Sequence, residues 1–474
     1  VRRCLLTIHP GPQNDEFRLI LISRSNKRIL VERQSPLHSG SAFSLPRLSI
    51  PKWTRSAPHI QRAISQRWNL QSVVLETLGE WSLSGRIAIV EATNDQSITA
   101  LPGRFAWLPL EEIADIEIED AESSVRVMLQ DLLEGRTDDQ APFLQLGWTE
   151  DLLRWIGREL PYDRIDIGDE IEQVNASSSH TLLKIRPRHG PPLWFKAVAE
   201  SPHESTGNEY VAVTMLSNLL PTFLPTLLGV RTDWNGWLMR DGGASVEESG
   251  HLEAETAETI GKRLAEMQQA SIPHLDSLLG HGFTDQRIPA LRDTMLSMMP
   301  YLEEAVLSQR SDAIPAIEIG RLKEIAEIFE EACFDLEEIG IPDTVVHNDL
   351  NGGNILVAGD ACVFTDWAQA GVGNPLVALD QLQIYLAQGK TFAPWCSRIL
   401  HAYREQWRCD ISEAQIDLGL RSVRLVSIAT HLTSRWQWLE SRYHYNPGLK
   451  SYIRSLVRQM DKTAQSRQCV GVQK

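Results

Sequence analysis

The chain has 474 residues, 42% of them hydrophobic and 23% charged, with a formal net charge of −16. That length exceeds one ordinary domain, and the composition is that of a soluble globular protein. The negative balance argues against a nucleic-acid backbone or an anionic membrane as partner, and no stretch reaches the roughly 18 apolar residues of a membrane span. The acidic runs Glu111–Asp120 and Glu324–Glu338 read as solvated helix faces. The six cysteines, at 4, 333, 362, 396, 409 and 469, form no Cys-x-x-Cys pair and predict reduced thiols in a cytoplasmic protein. Val1–Pro10 has a basic opening but too short an apolar run for a secretory signal.

Phe17–Ile22 and Arg28–Glu32 predict two strands joined by the turn Ser23–Lys27, followed by a helix at about His59–Trp68. Strands are expected at Val73–Leu78 and Ser84–Ala92, before the segment Phe105–Ile113. This order, with Leu45-Pro46 ahead of the helix, resembles a Nudix domain over residues 1–135, a size that suits one small domain. The Nudix helix usually reads Arg-Glu-Leu-x-Glu-Glu-x-Gly-Leu, and its glutamates hold the metal that activates water. Here the matching run is Arg62–Leu70, and the three glutamate positions hold Ala63, Gln66 and Arg67, which offer no hard oxygen ligands to Mg²⁺. Arg47-Leu48 also stand where glycines are usual. The resemblance therefore implies a Nudix-like fold without pyrophosphatase chemistry, in a regulatory, binding or purely structural role.

Residues 136–160 read as a linker and docking helix: Leu133–Pro142 is polar and aperiodic, and Leu152–Ile156 is amphipathic. Ile171–Ile185 predicts a hairpin with Asn175–His180 at its tip, and Leu193–Val198 an alternating strand carrying Lys196. Asn208–Leu216 is an apolar helical pattern with Glu209 near its start and Glu204 close by. The strand in Trp234–Gly243 includes Met239 and ends in Gly-Gly. Beyond it the pattern turns helical, at Ala254–Gln269, Ile317–Ile339 and from Pro375 to Met460. The last region holds Asp380, His401, His431, Trp436 and Trp438, with no motif that selects ligands among them.

The segment Val346-His347-Asn348-Asp349-Leu350-Asn351-Gly352-Gly353-Asn354-Ile355-Leu356 is the most informative. Asp349 precedes Asn354 by five residues, and Asp366 follows in Val363–Trp367. Phosphoryl transfer from a nucleotide needs this set: one carboxylate for the acceptor hydroxyl, and an amide and a carboxylate for Mg²⁺. Asn351-Gly352-Gly353 also suits a plain turn, but the apolar flanks Thr344–Val346, Ile355–Val357 and Ala361–Phe364 deliver the polar groups from buried strands, which a solvated turn does not require. His-x-Asp-Leu-x-x-x-Asn followed by an apolar strand and Asp is a kinase catalytic-loop signature.

The loop resembles that of the aminoglycoside phosphotransferase and choline kinase-like group, which shares the protein kinase fold. There it usually reads His-Gly-Asp-Leu-His-x-Gly-Asn; this chain has Asn348 for Gly and Asn351 for His. The resemblance implies an α+β chain: a two-lobed kinase-like phosphotransferase domain, with an N-lobe and hinge at 161–243 and a mainly helical C-lobe at 244–474, preceded by the smaller α/β Nudix-like domain. It implies Asp349 as the group that takes the acceptor proton, Asn354 and Asp366 as Mg²⁺ ligands, and His347 as a brace. Lys196, paired with Glu209, would grip the nucleotide phosphates, and Met239 would lie at the hinge that meets the base. The expected activity is transfer of the γ-phosphoryl group of ATP or GTP to a hydroxyl of a small molecule: aminoglycoside, other amino sugar, macrolide or choline-like alcohol. The rival is a non-catalytic nucleotide- or metabolite-binding regulatory protein in which both domains are retired enzymes. An active Nudix hydrolase would need carboxylates at 63, 66 and 67.

Overall fold

The computed structural model describes residues 14–33, 43–52, 54–78, 86–93, 104–109, 141–160, 171–199, 207–310, 314–359, 361–389, 391–434 and 447–471. Of the sequence features above, Glu111–Asp120, Glu204, Trp436 and Trp438 lie outside these residues. By contacts the chain divides into two units, Val1–Glu200 with Leu228–Arg240, and Ser201–Leu227 with Asp241–Lys474.

The first unit opens with β1 (Asn14–Ser23), β2 (Arg28–Arg33), β3 (Phe43–Ser44), β4 (Arg47–Pro51), α1 (Ser56–Trp68), β5 (Ser72–Leu78), β6 (Arg86–Ala92) and β7 (Phe105–Pro109). These strands make one seven-stranded sheet ordered β3-β2-β1-β6-β5, with β4 on β1 and β7 on β2. β1 is its centre, parallel to β6 and antiparallel to β2 and β4. Leu19, Ile20, Leu21 and Ile22 are all fully buried, the continuous apolar run of a strand covered on both faces. The period of two divides them. Phe17, Leu19 and Leu21 pack with Ile60, Ile64 and Trp68 of α1. Ile20 and Ile22 face the opposite way, into a core that also holds Leu152, Trp155 and Ile156 of α2 (Trp148–Glu159).

That second core continues into an antiparallel sheet of five strands: β8 (Ile171–Ala176), β9 (His180–Ile185), β10 (Leu193–Val198), β11 (Leu227–Arg231) and β12 (Gly236–Arg240). Their order is β11-β12-β10-β9-β8. Phe195 on β10 pairs with Leu183 on one side and Leu238 on the other, and all three are fully buried in the same core as Ile20 and Ile22. Trp155 meets Phe195 edge-on at 6.2 Å, so α2 packs on this sheet as its amphipathic pattern requires.

The second unit is mainly helical: α3 (Gly207–Leu219), α4 (Ala254–Ser271), α5 (Ile288–Leu307), α6 (Ile319–Ile339), α7 (Leu376–Gln388), α8 (Cys396–Trp407), α9 (Glu413–Thr433) and α10 (Pro447–Gly471). Two small sheets sit among them, β13 (Ala244–Ser245) with β16 (Ile355–Ala358) and β17 (Ala361–Phe364), and β14 (Thr284–Gln286) with β18 (Gly371–Gly373) and β15 (Thr344–Val346). α6 stops at Gly340, whose φ of +68° makes it a left-handed cap. The chain then enters β15, which ends at the loop carrying the conspicuous polar residues. No helix among the described residues is long and apolar enough to cross a membrane.

Candidate active site

β15 is buried at all three residues and delivers His347 into the interior, where it too is fully buried. Its Nε2 donates to the Thr365 carbonyl at 2.8 Å, so Nε2 carries the proton of a neutral ring. Burial pulls the imidazole below its ordinary range, more than the nearby carboxylates of Asp349 and Asp366 restore. The ring stacks obliquely on Trp367, centroids 4.5 Å apart, and Trp367 Nε1 is held by the Phe364 carbonyl at 3.1 Å. His347 is thus a strut between the two halves of the loop.

Asn348 adopts the left-handed region at φ +60° and is also buried. Its Nδ2 donates to Gln286 Oε1 at 2.5 Å and to the Gln369 carbonyl at 2.8 Å. Gln286, on β14, lies flat over β18: a Cβ on Gly371 would stand 2.4 Å from Gln286 Oε1. Only glycine leaves room for that side chain to reach Asn348.

Asn351 caps a single 3₁₀ turn, its Oδ1 accepting from Gly353 N at 2.9 Å. Its Nδ2 donates to the Asp349 carbonyl at 3.0 Å, and Asn354 Nδ2 donates to the same oxygen at 2.8 Å. With both amides clamped on one carbonyl, the Asp349 backbone cannot swing, and Asn354 keeps only Oδ1 with which to ligate a cation. Burial pushes the Asp349 carboxyl above its ordinary range, and the negative charge of Asp366 adds to this.

Thr365 joins the pieces. Its N–H donates to the Asn354 carbonyl at 3.0 Å, while its own carbonyl accepts from His347. The next residue, Asp366, sits at φ +67°, a conformation that costs a non-glycine residue on the order of 1 kcal/mol and recurs where function demands it. Gly352 is needed for a different reason: Tyr385 of α7 lies 2.8 Å from where its Cβ would be. Glu247 closes the other side, its Oε2 3.1 Å from the corresponding position on Gly353. Glu247 belongs to a single turn, Val246–Ser249, opened by the Ser245/Glu248 capping box.

His347, Asp349, Asn354 and Asp366 are therefore gathered in one loop cluster of the second unit. Lys196 and Met239 belong to the first unit. Lys196, on β10, extends over the Trp237 ring with Nζ 5.9 Å from its centroid. Met239 is on β12, paired with Trp194. Glu209 lies buried in the first turn of α3, in the second unit. Gln286, Gln369 and Thr365 carry no sequence signal of their own. Tyr385 sits on an apolar helix, and Glu247 is flagged only by the Ser-x-x-Glu cap beside it.

Residues 236–408, a span that contains the whole cluster, match the model of the phosphotransferase enzyme family. Over this span the chain is similar to that family. The small-molecule kinase class expected from the catalytic loop agrees with this match, and the chain is a mixed fold of helix and sheet, as expected. No curated protein sequence matches the chain. Among solved structures it is similar to an ethanolamine kinase of Plasmodium vivax, at 13% identity over 73% of this chain and 97% of that one, with a TM-score of 0.47. A choline kinase from Cryptosporidium parvum matches at 12% identity over 68% and 97%, TM-score 0.46. A macrolide 2′-phosphotransferase from Brachybacterium faecium matches at 14% over 65% and 98%, TM-score 0.44. At these identities and scores nothing about chemistry follows from them.

Proposed function

We propose that this phosphotransferase moves the γ-phosphoryl group of ATP or GTP to a hydroxyl of a small molecule of the aminoglycoside, amino sugar or choline-like kind. The observation that carries the reading is the Asp349–Asn354–Thr365–Asp366 arrangement, in which hydrogen bonds hold the Asn354 amide beside Asp349 and Asp366 takes a left-handed backbone. Among the described residues no three His, Cys, Asp or Glu side chains form a metal cage. One amide and one carboxylate suit Mg²⁺, which keeps most of its shell for water and phosphate oxygens. Bound there, Mg²⁺ would offset the charge of the donor phosphates.

Asp349 does the proton chemistry. Its carboxylate receives the acceptor O–H, orients that oxygen towards the γ-phosphorus and takes the proton as the O–P bond forms and the nucleoside diphosphate departs. A carboxyl held above its ordinary range is a better proton acceptor than a solvated aspartate. Lys196, Glu209 and Met239 are assigned to the nucleotide, Lys196 to its phosphates and Met239 to its base. The free, buried Cys333 and Cys362 fit work in the cytoplasm. For residues 1–135 we propose a Nudix-like fold without its chemistry. Arg67 lies over the Trp68 and Phe105 rings and donates to the Arg47 carbonyl at 3.0 Å, a structural use of a position that would otherwise carry a ligand.

The test is Asp349→Asn in a coupled assay for nucleoside diphosphate against a panel of amino sugars and amino alcohols. Loss of the base should lower kcat by about 10²–10⁴-fold and leave nucleotide affinity within a few-fold. Undiminished turnover would remove Asp349 from the chemistry. No turnover by the native chain on any acceptor would favour a retired, nucleotide-binding protein.

A further inference from the structure

In the first unit, β5 and β8 are both edge strands, and each carries a bulge where the two sheets meet. The β5 bulge falls between Val74 and Glu76, and the β8 bulge between Gln173 and Asn175. Bulges free backbone groups from a ladder and re-aim them. Here the outward backbone groups of Val74 on the edge strand are taken up by one side chain. Gln173, fully buried, accepts from Val74 N at 2.7 Å and donates to the Val74 carbonyl at 2.8 Å. Its amide stands in for a neighbouring strand. Gln173 N in turn donates to Gln61 Oε1 of α1 at 2.9 Å, and Gln61 Nε2 donates to the Ser72 carbonyl at 2.6 Å. Three residues beyond Gln173, Ala176 is buried among Ile60, Ile64 and Trp68 in the core under α1.

The far end of this β8–β9 hairpin is stiffened as well. Asn175 Nδ2 lies 2.5 Å from His180 Nε2, which fixes the imidazole as the tautomer whose Nδ1–H faces the Ser177 and Ser179 hydroxyls, each at 3.2 Å. Ser177 N and the His180 carbonyl close the turn at 3.0 Å. The turn has no glycine, so its shape is held by side chains and by its base.

We propose that α1 and β5 of the N-terminal sheet act as a fixed clamp on the β8–β9 hairpin, with Gln173, Gln61 and Ala176 as positioning residues that hold its turn in shape for the donor nucleotide's phosphates. This rests on the phosphotransfer reading above, in which Lys196, paired with Leu182 of this hairpin, meets the donor's phosphates. It gives the N-terminal sheet a task without any chemistry of its own: the helix that would have carried metal ligands in a Nudix enzyme is a docking face for the hairpin.

Two substitutions in the full chain test the clamp by independent routes. Gln173→Met keeps the volume and removes the amide; Gln61→Ala removes a half-buried partner and spares the core. Hydrogen exchange is followed by mass spectrometry in peptides spanning 174–181, and KM and kcat are measured for the nucleotide. Both variants should exchange about tenfold faster in these peptides as well as at the amides that lose their acceptor, the order expected for one lost buried hydrogen bond. KM for the nucleotide should rise about five- to tenfold with kcat within about twofold, because the phosphates now bear the cost of ordering the turn. Gln173→Glu, which puts an ionisable group against the Val74 carbonyl in the same dry site, should exchange at least as fast as Gln173→Met. Unchanged exchange in both variants overturns the clamp. Faster exchange with unchanged KM overturns its link to the nucleotide. Absence of nucleotide turnover in the native chain defeats the phosphotransfer reading and that link together, while the exchange arm still decides the clamp.

Discussion

Asn348 and Asp366 are both left-handed without being glycine, and they bracket the candidate segment on either side of Thr365 and Asn354. In Asn348 the conformation is tied to two buried hydrogen bonds, and Gln286 and the Gln369 carbonyl have it as their partner. Asn348→Gly restores the residue usual in the resembled family and relieves the backbone, yet it strands those two oxygens. It should therefore destabilise the chain by about 1–3 kcal/mol in urea unfolding and lower kcat more than it raises KM. A stability equal to the native chain's would mean that the strut contributes nothing. At this scale the sequence marks the candidate residues but not their support. Asp349, Asn354 and Asp366 stand out because their spacing is the one proposed for phosphoryl transfer. Gln286 does not, because a three-residue strand far upstream has no periodicity to place it beside residue 348.

Helix packing in the second unit turns on one small residue. α4 and α8 come so close that a Cβ at Gly261 would stand 2.2 Å from the Ile399 carbonyl, a backbone atom that cannot rotate aside. Gly261→Ala should cost about 1–3 kcal/mol by forcing the helices apart, read as a lower urea midpoint with an unchanged slope. An unaltered midpoint would show that the pair can separate freely. The helices themselves were legible: apolar spacing places α4 and α6 within a few residues of their ends, and Gly340 marks where α6 must stop. α1 begins three residues earlier than its apolar pattern, at Ser56, because Pro58 is compatible with a first helical turn. Strand order was not legible. Antiparallel neighbours follow from short turns, but the parallel pairing of β1 with β6, and the meeting of bulges on β5 and β8, depend on contacts distant in sequence that no local pattern encodes.

Across the whole molecule, two half-buried carboxyls pull stability the opposite way from ordinary acid denaturation. Burial raises Asp343 above the usual carboxylate range although Arg287 opposes it, and burial raises Asp380 against the pull of Arg424 and Ser427. Between the ordinary and the raised value, the folded chain holds the extra proton. The stability these groups contribute is complete below the ordinary range and is lost as pH climbs through the folded value. Asp343→Asn should accordingly raise the urea midpoint at about pH 7 and leave it nearly unchanged at about pH 4. A gain equal at both values would show that desolvation of this carboxyl is not the cause.

The face of the first sheet that carries Ile20 and Ile22 and the face of the second that carries Leu183, Phe195 and Leu238 share one dry interior, with Trp155 between. A gene shortened to begin at the five-stranded sheet would leave that interior open to water along an entire side. Such a product should be recovered in inclusion bodies, not as a lean catalytic fragment. Evolution faces the same constraint: once two sheets have dissolved into a common interior, neither can be shuffled away to another partner, and mutations in one half are answerable to the other.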